Sequence, residues 1–223
     1  MNDSLRKEKR VALMCTSLRD MAGGLERQII RTALAMNSIG YTTYLISFDN
    51  EGDNAFYAIP ETIVWLKCGF GLTPHKAASA RKRFCQLIKL RKVLKQCKIG
   101  CLVTFHHGLF VRALIATFGL GISNIVSERN SLLFYRYTKQ NKCNPAFITS
   151  LFAKYRTVQL ASYVQEYPFI IRRNISVIPN ILRPIPEGKH NSICNRQKTV
   201  ALVGRILAWR SCLQTSCRSD PQP

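Results

Sequence analysis

The stretch VALMCTSLRDMAGGLERQIIRTALAMNSI, residues 11–39, decides the fold of this chain. It opens with the apolar run Val11–Cys15, which predicts a buried strand. A short polar connection then ends in Gly23-Gly24, and apolar residues recur at helical spacing over Leu25–Leu34. Glu26 falls in the first turn of the predicted helix, where the helix dipole favours a negative charge. The stretch therefore predicts a strand, a glycine turn and a helix.

The glycine pair is the first candidate binding site. A glycine turn at the start of a helix lets a ligand approach the backbone N–H groups, so Gly23 and Gly24 are suited to a phosphate or a sugar hydroxyl. The same pair can form a tight turn that binds nothing, because short glycine motifs also occur by chance. Both interpretations stay open at this point.

Strands and helices alternate along the rest of the chain. Further strands are predicted at 41–48, 62–66, 99–105, 122–126, 157–161 and 175–178, with helices at 76–98, 109–118 and 163–171. This alternation predicts the α/β class, with a doubly wound, Rossmann-like parallel sheet. In such sheets ligands bind beyond the carboxyl ends of the strands. Gly23-Gly24, His106-His107 and Glu128-Arg129 each follow a predicted strand, so we expect them to share one edge.

The composition changes near residue 183. Residues 1–182 form the predicted Rossmann-like domain, and residues 183–198, which are rich in Pro, Gly and Asn, form a predicted linker. An apolar run at 199–203 begins a second domain, of which residues 199–223 are only the start. The tail after Arg210 has no periodicity, and we interpret it as a truncated or frame-shifted ending.

Charge and cysteine usage limit the function classes. The 223-residue chain has a formal net charge of +21, which indicates an anionic partner such as nucleic acid, anionic lipid or a phosphorylated substrate. Its nine cysteines include no CxxC pair and its four histidines lie away from them, so we expect no metal site and free thiols in a reducing cytosol. No apolar run reaches the length of about 18 residues that a membrane span needs.

The predicted helix at 76–98 is strongly basic. It contains nine Lys and Arg residues and no acidic residue, and Phe84 and Ile88 are assigned to its buried side. A solvated face is one interpretation. A basic amphipathic helix that binds an anionic membrane surface is the favoured one. The candidate membrane-surface residues are Lys76, Arg81, Lys82, Arg83, Lys89, Arg91, Lys92, Lys95 and Lys98.

An ordered set of short motifs resembles the amino-terminal half of a family 4, retaining-type glycosyltransferase. The motifs span about residues 9 to 209 and lie at Val11–Thr16, Gly23–Arg27, Ile39–Tyr41, Ser127–Asn130, Val177–Asn180 and Val203–Ile206. The resemblance implies one lobe of the two-domain GT-B fold, with the second lobe only begun. It also implies sugar transfer from a UDP- or GDP-sugar to a glycan or lipid-linked acceptor in cell-surface polysaccharide or lipopolysaccharide biosynthesis. No metal or cofactor is expected, and the implied location is the cytoplasmic face of the cell membrane.

The resemblance also implies residue roles. His106 and His107 would lie near the reacting sugar as catalytic residues, or else form a solvent-facing turn pair. Arg205 would contact the donor diphosphate. Glu128 and Arg129 would bind acceptor hydroxyls or an acceptor phosphate, or else form a structural ion pair. The acidic pair that holds the donor in the family is absent after residue 205, so catalysis by this chain alone is in doubt.

Two alternatives to an active enzyme remain. One is a basic protein that binds nucleic acid or an anionic surface without catalysis. Nucleic acid is not expected as a partner, because no known nucleic-acid-binding motif is present and Phe84, Phe105, Phe110 and Phe118 are predicted to lie in the core. The other alternative is a non-catalytic remnant of a transferase.

Overall fold

The computed structural model describes residues 9–19, 23–69, 79–132 and 151–180. Its strands are β1 (Arg10–Met14), β2 (Thr42–Ser47), β3 (Val64–Lys67), β4 (Cys101–Phe105), β5 (Ser123–Ser127), β6 (Tyr155–Val158) and β7 (Ile175–Val177). Its helices are α1 (Gly24–Ser38), α2 (Ala80–Gln96), α3 (His107–Thr117), α4 (Ala161–Val164) and α5 (Phe169–Arg172). The predicted linker at 183–198 and the predicted start of a second domain at 199–223 lie outside the described residues.

The strands form one parallel sheet in the order β3-β2-β1-β4-β5-β6-β7. The chain builds outward from β1 to β3 on one side and then returns to place β4 on the other side of β1. The strand order therefore reverses between β1 and β4, which makes this position the topological switch point of the sheet. The predicted doubly wound, Rossmann-like sheet is confirmed.

Two hydrophobic cores cover the two faces of the sheet. Along β1 the side chains alternate, so that Ala12 and Met14 join one core and Val11 and Leu13 join the other. Residues of α2 and α3 complete the first core, and residues of α1 complete the second. This placement explains why the deciding stretch opens with a continuous apolar run instead of an alternating one.

The helix predicted at 163–171 differs from the observed structure. Two single-turn helices, α4 and α5, replace it, and Pro168 lies between them as the N-cap of α5. Proline has no N–H to continue a helix and disfavours helical geometry in the residue before it, which accounts for the break.

The described cysteines are all free thiols. Cys15 and Cys68 are buried, and burial raises the pKa of Cys68 to about 11, so the thiol stays protonated and unreactive near neutral pH. No helix among the described residues is long and apolar enough to cross a membrane.

Candidate functional site at the carboxyl edge of the sheet

The loops that follow β1, β4 and β5 start side by side. Met14 is in register with Thr104, and Phe105 is in register with Ser127, so the three strands end at the same level. Gly23 precedes α1, His106 follows β4, and Glu128 follows β5. The structure thus brings the three predicted pairs to one edge, which we call the carboxyl edge.

The end of the Glu26 side chain fills the space beside Gly23. Gly23 is the N-cap of α1, and a Cβ atom at this position would overlap Oε2 of Glu26 unless that side chain moved. The buried Glu26 carboxylate therefore lies against the first turn of α1, where it complements the helix dipole. Gly24 has open space around the position of a Cβ atom. An anionic ligand at this turn would meet the carboxylate that the chain itself provides.

Asp49 holds the loop that follows β1 and was not among the candidate residues chosen from the sequence. It is 2% exposed, and its Oδ2 accepts hydrogen bonds from the Leu18 backbone N–H at 2.8 Å and from the Ser47 hydroxyl at 2.7 Å. The Ser17 hydroxyl donates to Oδ1. The position of this acidic residue, shortly after an apolar strand, is the feature of the sequence that could have identified it.

His106 has an unusual backbone conformation. Its φ of 88° lies in the left-handed region, which side-chain-bearing residues seldom adopt and which is enriched at functional sites. Its Nδ1 accepts a hydrogen bond of 3.0 Å from the Gly108 backbone N–H, so the neutral ring carries its proton on Nε2. Burial lowers the pKa of His106, which keeps the ring neutral at physiological pH.

His107 faces the interior of the domain. It is 2% exposed, and its Nδ1 lies 3.1 Å from Oε1 of Glu128, which is also 2% exposed. The carboxylate accepts this hydrogen bond, so Nδ1 of His107 carries a proton. The two histidine rings stack with centroids 4.3 Å apart. The two stacked rings therefore carry their protons on different atoms. His106 is protonated on Nε2 because Gly108 donates to its Nδ1, and His107 is protonated on Nδ1 because Glu128 accepts from it.

Glu128 belongs to a buried polar group. Its backbone N–H donates to the Thr157 carbonyl at 2.8 Å, and its carboxylate is an electrostatic neighbour of the buried Arg156 and Tyr167. Burial, reinforced by the negative charge of Glu128, raises the pKa of Tyr167. This environment favours a structural role for Glu128, paired with the His107 ring instead of with Arg129, over direct contact with an acceptor.

Arg129 lies closer to the surface than Glu128. Its Nη1 donates to Oδ1 of Asn180 at 3.1 Å, and its guanidinium lies 5.1 Å from the centroid of the Phe105 ring. Gln159 donates to the same Asn180 oxygen at 3.3 Å. Within the described part of the chain, the buried Nε of Arg129 has no hydrogen-bond partner. The guanidinium of Arg129 therefore lies at the carboxyl edge with its Nε enclosed by protein.

The basic helix differs from its prediction in one respect. Phe84 and Ile88 are 63% and 53% exposed, so their assignment to the buried side was wrong. The helix instead buries Gln86, Leu90 and Leu94, which are spaced four residues apart on the opposite side.

Some of the other residues lie where the sequence predicts them and some do not. Phe105 and Phe110 are buried as expected, but Phe118 is 80% exposed because it follows the end of α3. Lys76 and Arg205 lie outside the described residues. The other eight candidate membrane-surface residues lie on α2 or just after it, at Arg81, Lys82, Arg83, Lys89, Arg91, Lys92, Lys95 and Lys98.

No known protein-family model and no curated protein matches this sequence. Among solved structures, the lipopolysaccharide outer core galactosyltransferase WaaB aligns with a TM-score of 0.59 and 15% identity, over 81% of this chain and 50% of WaaB. Sucrose-phosphate synthase from Thermosynechococcus elongatus aligns with a TM-score of 0.56 and 11% identity, over 76% of this chain and 47% of the synthase.

A third solved structure agrees with these two. WaaG, a glycosyltransferase involved in lipopolysaccharide biosynthesis, aligns with a TM-score of 0.50 and 15% identity, over 79% of this chain and 48% of WaaG. The chain therefore spans about half the length of the structures that it matches. At these identities the likeness concerns the fold: this chain has the fold of one Rossmann-like lobe of the GT-B glycosyltransferases.

Proposed function

We propose that this chain is the acceptor-binding lobe of a GT-B glycosyltransferase. It would act with a donor-binding lobe to transfer a sugar from a UDP- or GDP-sugar to a glycan or lipid-linked acceptor. The observation that carries the proposal is the position of the candidate residues: the Gly23 turn and His106 flank the switch point between β1 and β4. Open α/β sheets bind their ligands at such a switch point.

Of the two histidines, His106 is the one that contacts the sugar. Its ring is neutral and carries its proton on Nε2, so it can donate a hydrogen bond to a hydroxyl of the acceptor or of the transferred sugar. His107 and Glu128 are positioning residues, because they hold the strand end and the neighbouring ring from the interior. Arg129, which is only partly buried, donates from its guanidinium to an acceptor hydroxyl or phosphate.

The glycine turn is better suited to a hydroxyl than to a phosphate. The Glu26 carboxylate lies against this turn, and it would repel a second anion while accepting a hydrogen bond from a sugar hydroxyl. We therefore assign Gly23 and Gly24 to the acceptor. The donor diphosphate would be held by the other lobe, where the sequence offers Arg205, outside the described residues.

The proposed pathway is cell-surface polysaccharide or lipopolysaccharide biosynthesis on the cytoplasmic face of the membrane. Support comes from the motifs of the sequence and from the fold shared with WaaB and WaaG, whose names place them in lipopolysaccharide synthesis. Transfer with retention at the anomeric carbon and without a bound metal follows from the family resemblance. No group of three or more His, Cys, Asp or Glu side chains suited to a metal occurs in the described ranges.

Saturation-transfer NMR on the full chain tests the proposal. The probes are an oligosaccharide released from a lipopolysaccharide core, UDP-glucose and GDP-mannose. We expect the oligosaccharide to receive saturation and the nucleotide-sugars to receive little from the carboxyl edge, because its residues are assigned to the acceptor. Arg129→Gln should reduce the oligosaccharide signal, whereas Arg173→Gln, a matched change at an exposed arginine between α5 and β7, should not. Equal signals from both variants would contradict the assignment of the site.

A further inference from the structure

An exposed stripe runs along α2. Arg81, Phe84, Ile88, Lys92 and Lys95 are spaced by three or four residues, which places them on one side of the helix. All five are exposed, and the side chains buried by α2 lie on the opposite side. We call these five residues the α2 stripe. It combines two large apolar side chains with three cations.

The cations of the stripe are distinct from the cations of α2 that have structural roles. Lys89 forms an ion pair of 2.8 Å with Glu51, and Nη1 of Arg91 donates to the Ala116 carbonyl at 3.0 Å. Arg81, Lys92 and Lys95 form no ion pair within the described ranges. No acidic residue occurs anywhere between residues 76 and 98. The positive charge of the stripe is therefore not neutralised by the helix that carries it.

Two further exposed apolar side chains lie at the end of α3, the helix that packs against α2. Nη1 of Arg91 also donates to the Phe118 carbonyl at 2.6 Å, which holds this residue beside α2. Phe118 is 80% exposed, and Ile115, one turn earlier, is 54% exposed. Four large apolar side chains thus face solvent on two helices that pack against each other. Water-exposed apolar side chains grouped with cations indicate an interaction surface.

We propose that the α2 stripe, together with Ile115 and Phe118, docks this chain on an anionic lipid bilayer. Cations and apolar side chains on one helical surface match such a bilayer, because the cations contact lipid phosphates while the apolar groups enter the acyl boundary. A single-stranded nucleic acid would need aromatic platforms for its bases, whereas two of the four apolar side chains, Ile88 and Ile115, are aliphatic. The docking does not depend on the transfer activity.

The orientation of α2 relates this surface to the candidate site. The helix connects the carboxyl end of β3 to the amino end of β4, so its first turn lies toward the carboxyl edge. A bilayer along the α2 stripe would then lie beside the loops assigned to the acceptor.

Co-sedimentation of the full chain with lipid vesicles tests the proposal. One set of vesicles is phosphatidylcholine alone, and the other contains about 30% phosphatidylglycerol, which gives the negative surface that attracts Lys and Arg. We expect binding to the anionic vesicles only, weakening as salt is added. Arg81→Gln, Lys92→Gln and Lys95→Gln combined should lower the partition coefficient about a hundredfold. Phe84→Ser with Ile88→Ser should lower it roughly tenfold or more.

Two control variants carry the same kinds of substitution at positions outside the α2 stripe. Lys9→Gln, Lys154→Gln and Arg173→Gln combined remove the same net charge from exposed positions outside α2. Phe169→Ser with Ile170→Ser removes the same side-chain types from α5, where they are 84% and 77% exposed. Both controls should bind anionic vesicles as the unchanged chain does. Circular dichroism melts of all variants show whether the fold is kept.

Several outcomes would overturn the proposal. Equal binding to neutral and anionic vesicles would show that the cations of the stripe do not contribute. Equal losses of vesicle binding in the stripe and control variants would show that binding depends on the total charge of the chain and not on the α2 stripe. Salt-sensitive retention of a single-stranded oligonucleotide on a filter, without vesicle binding, would assign the stripe to nucleic acid. A concentration-dependent dimer that Phe84→Ser with Ile88→Ser abolishes would assign it to a second copy of the chain.

Discussion

Nδ1 of His107 lies 3.1 Å from Oε1 of Glu128, and both side chains are almost completely buried. The pair joins the end of β4 to the end of β5 and fixes the ring that stacks on His106. Through this hydrogen bond, the interior of the domain positions the residue that we assign to the sugar. Substitutions at Glu128 should therefore change the stability of the fold, whereas substitutions at His106 should change ligand binding.

Removing the carboxylate of the pair should destabilise the domain. Glu128→Ala takes away the acceptor of the His107 Nδ1–H and a negative neighbour of the buried Arg156, so the free energy of unfolding should fall by about 3 kcal/mol. Glu128→Gln keeps an acceptor and should cost about 1 kcal/mol. Urea unfolding measures both. Glu51→Ala, which breaks the exposed ion pair with Lys89, serves as control and should leave the midpoint unchanged. Similar losses at 51 and 128 would contradict the structural role.

Replacing His106 by asparagine should weaken ligand binding without weakening the fold. Asparagine, like histidine, adopts a positive φ more often than most residues that carry a side chain, and its Oδ1 can accept the hydrogen bond from the Gly108 N–H. The variant lacks the Nε2–H donor, so we expect the affinity for the core oligosaccharide to fall about fivefold by isothermal titration calorimetry. His106→Ala should lose affinity and stability together. Unchanged affinity in His106→Asn would remove this residue from the site.

Stability should fall as the pH is lowered through the titration of His106. Burial lowers the pKa of this residue in the folded state, so below about pH 6.5 the unfolded chain binds more protons than the folded one. The contribution is present in full above that pH and is lost progressively toward the lowered folded pKa. Melting temperatures measured from neutral to acidic pH should show a flatter dependence for His106→Asn than for the unchanged chain. Parallel curves would count against a buried, neutral ring.

The two glycines of the turn should respond differently to alanine. A Cβ atom at Gly23 would collide with the Glu26 carboxylate, so Gly23→Ala should lower the free energy of unfolding. Gly24→Ala meets open space in the first helical turn and should raise it by about 0.5–1 kcal/mol. Combining Gly23→Ala with Glu26→Ala should recover part of the loss, because the colliding group is gone. Strict additivity of the two changes would show that the collision is not the cause.

The strands were predictable because their signal is local. Buried parallel strands appear as continuous apolar runs, and β1, β4 and β5 were found within two residues of their observed bounds. The convergence of their loops followed from topology alone, since all carboxyl ends of a parallel sheet share one edge. No contact between side chains was needed for either prediction.

The details of the site depend on long-range contacts, which a sequence pattern does not contain. Glu128 and Arg129 are adjacent in sequence, yet one faces the interior beside His107 and the other reaches Asn180. The exposed side of α2 was missed for a related reason. Phe84 and Ile88 satisfy a helical apolar pattern, but the sheet and α3 cover the side that carries Leu90 and Leu94.

Hydrogen-exchange mass spectrometry of the full chain, with and without the lipopolysaccharide core oligosaccharide, shows whether the three loops share one ligand. We expect slower exchange at three separate segments, residues 23–27, 106–110 and 128–131, because one ligand at the carboxyl edge would cover the loops after β1, β4 and β5. Slower exchange confined to other parts of the chain, or to one of these segments alone, would contradict a shared acceptor site.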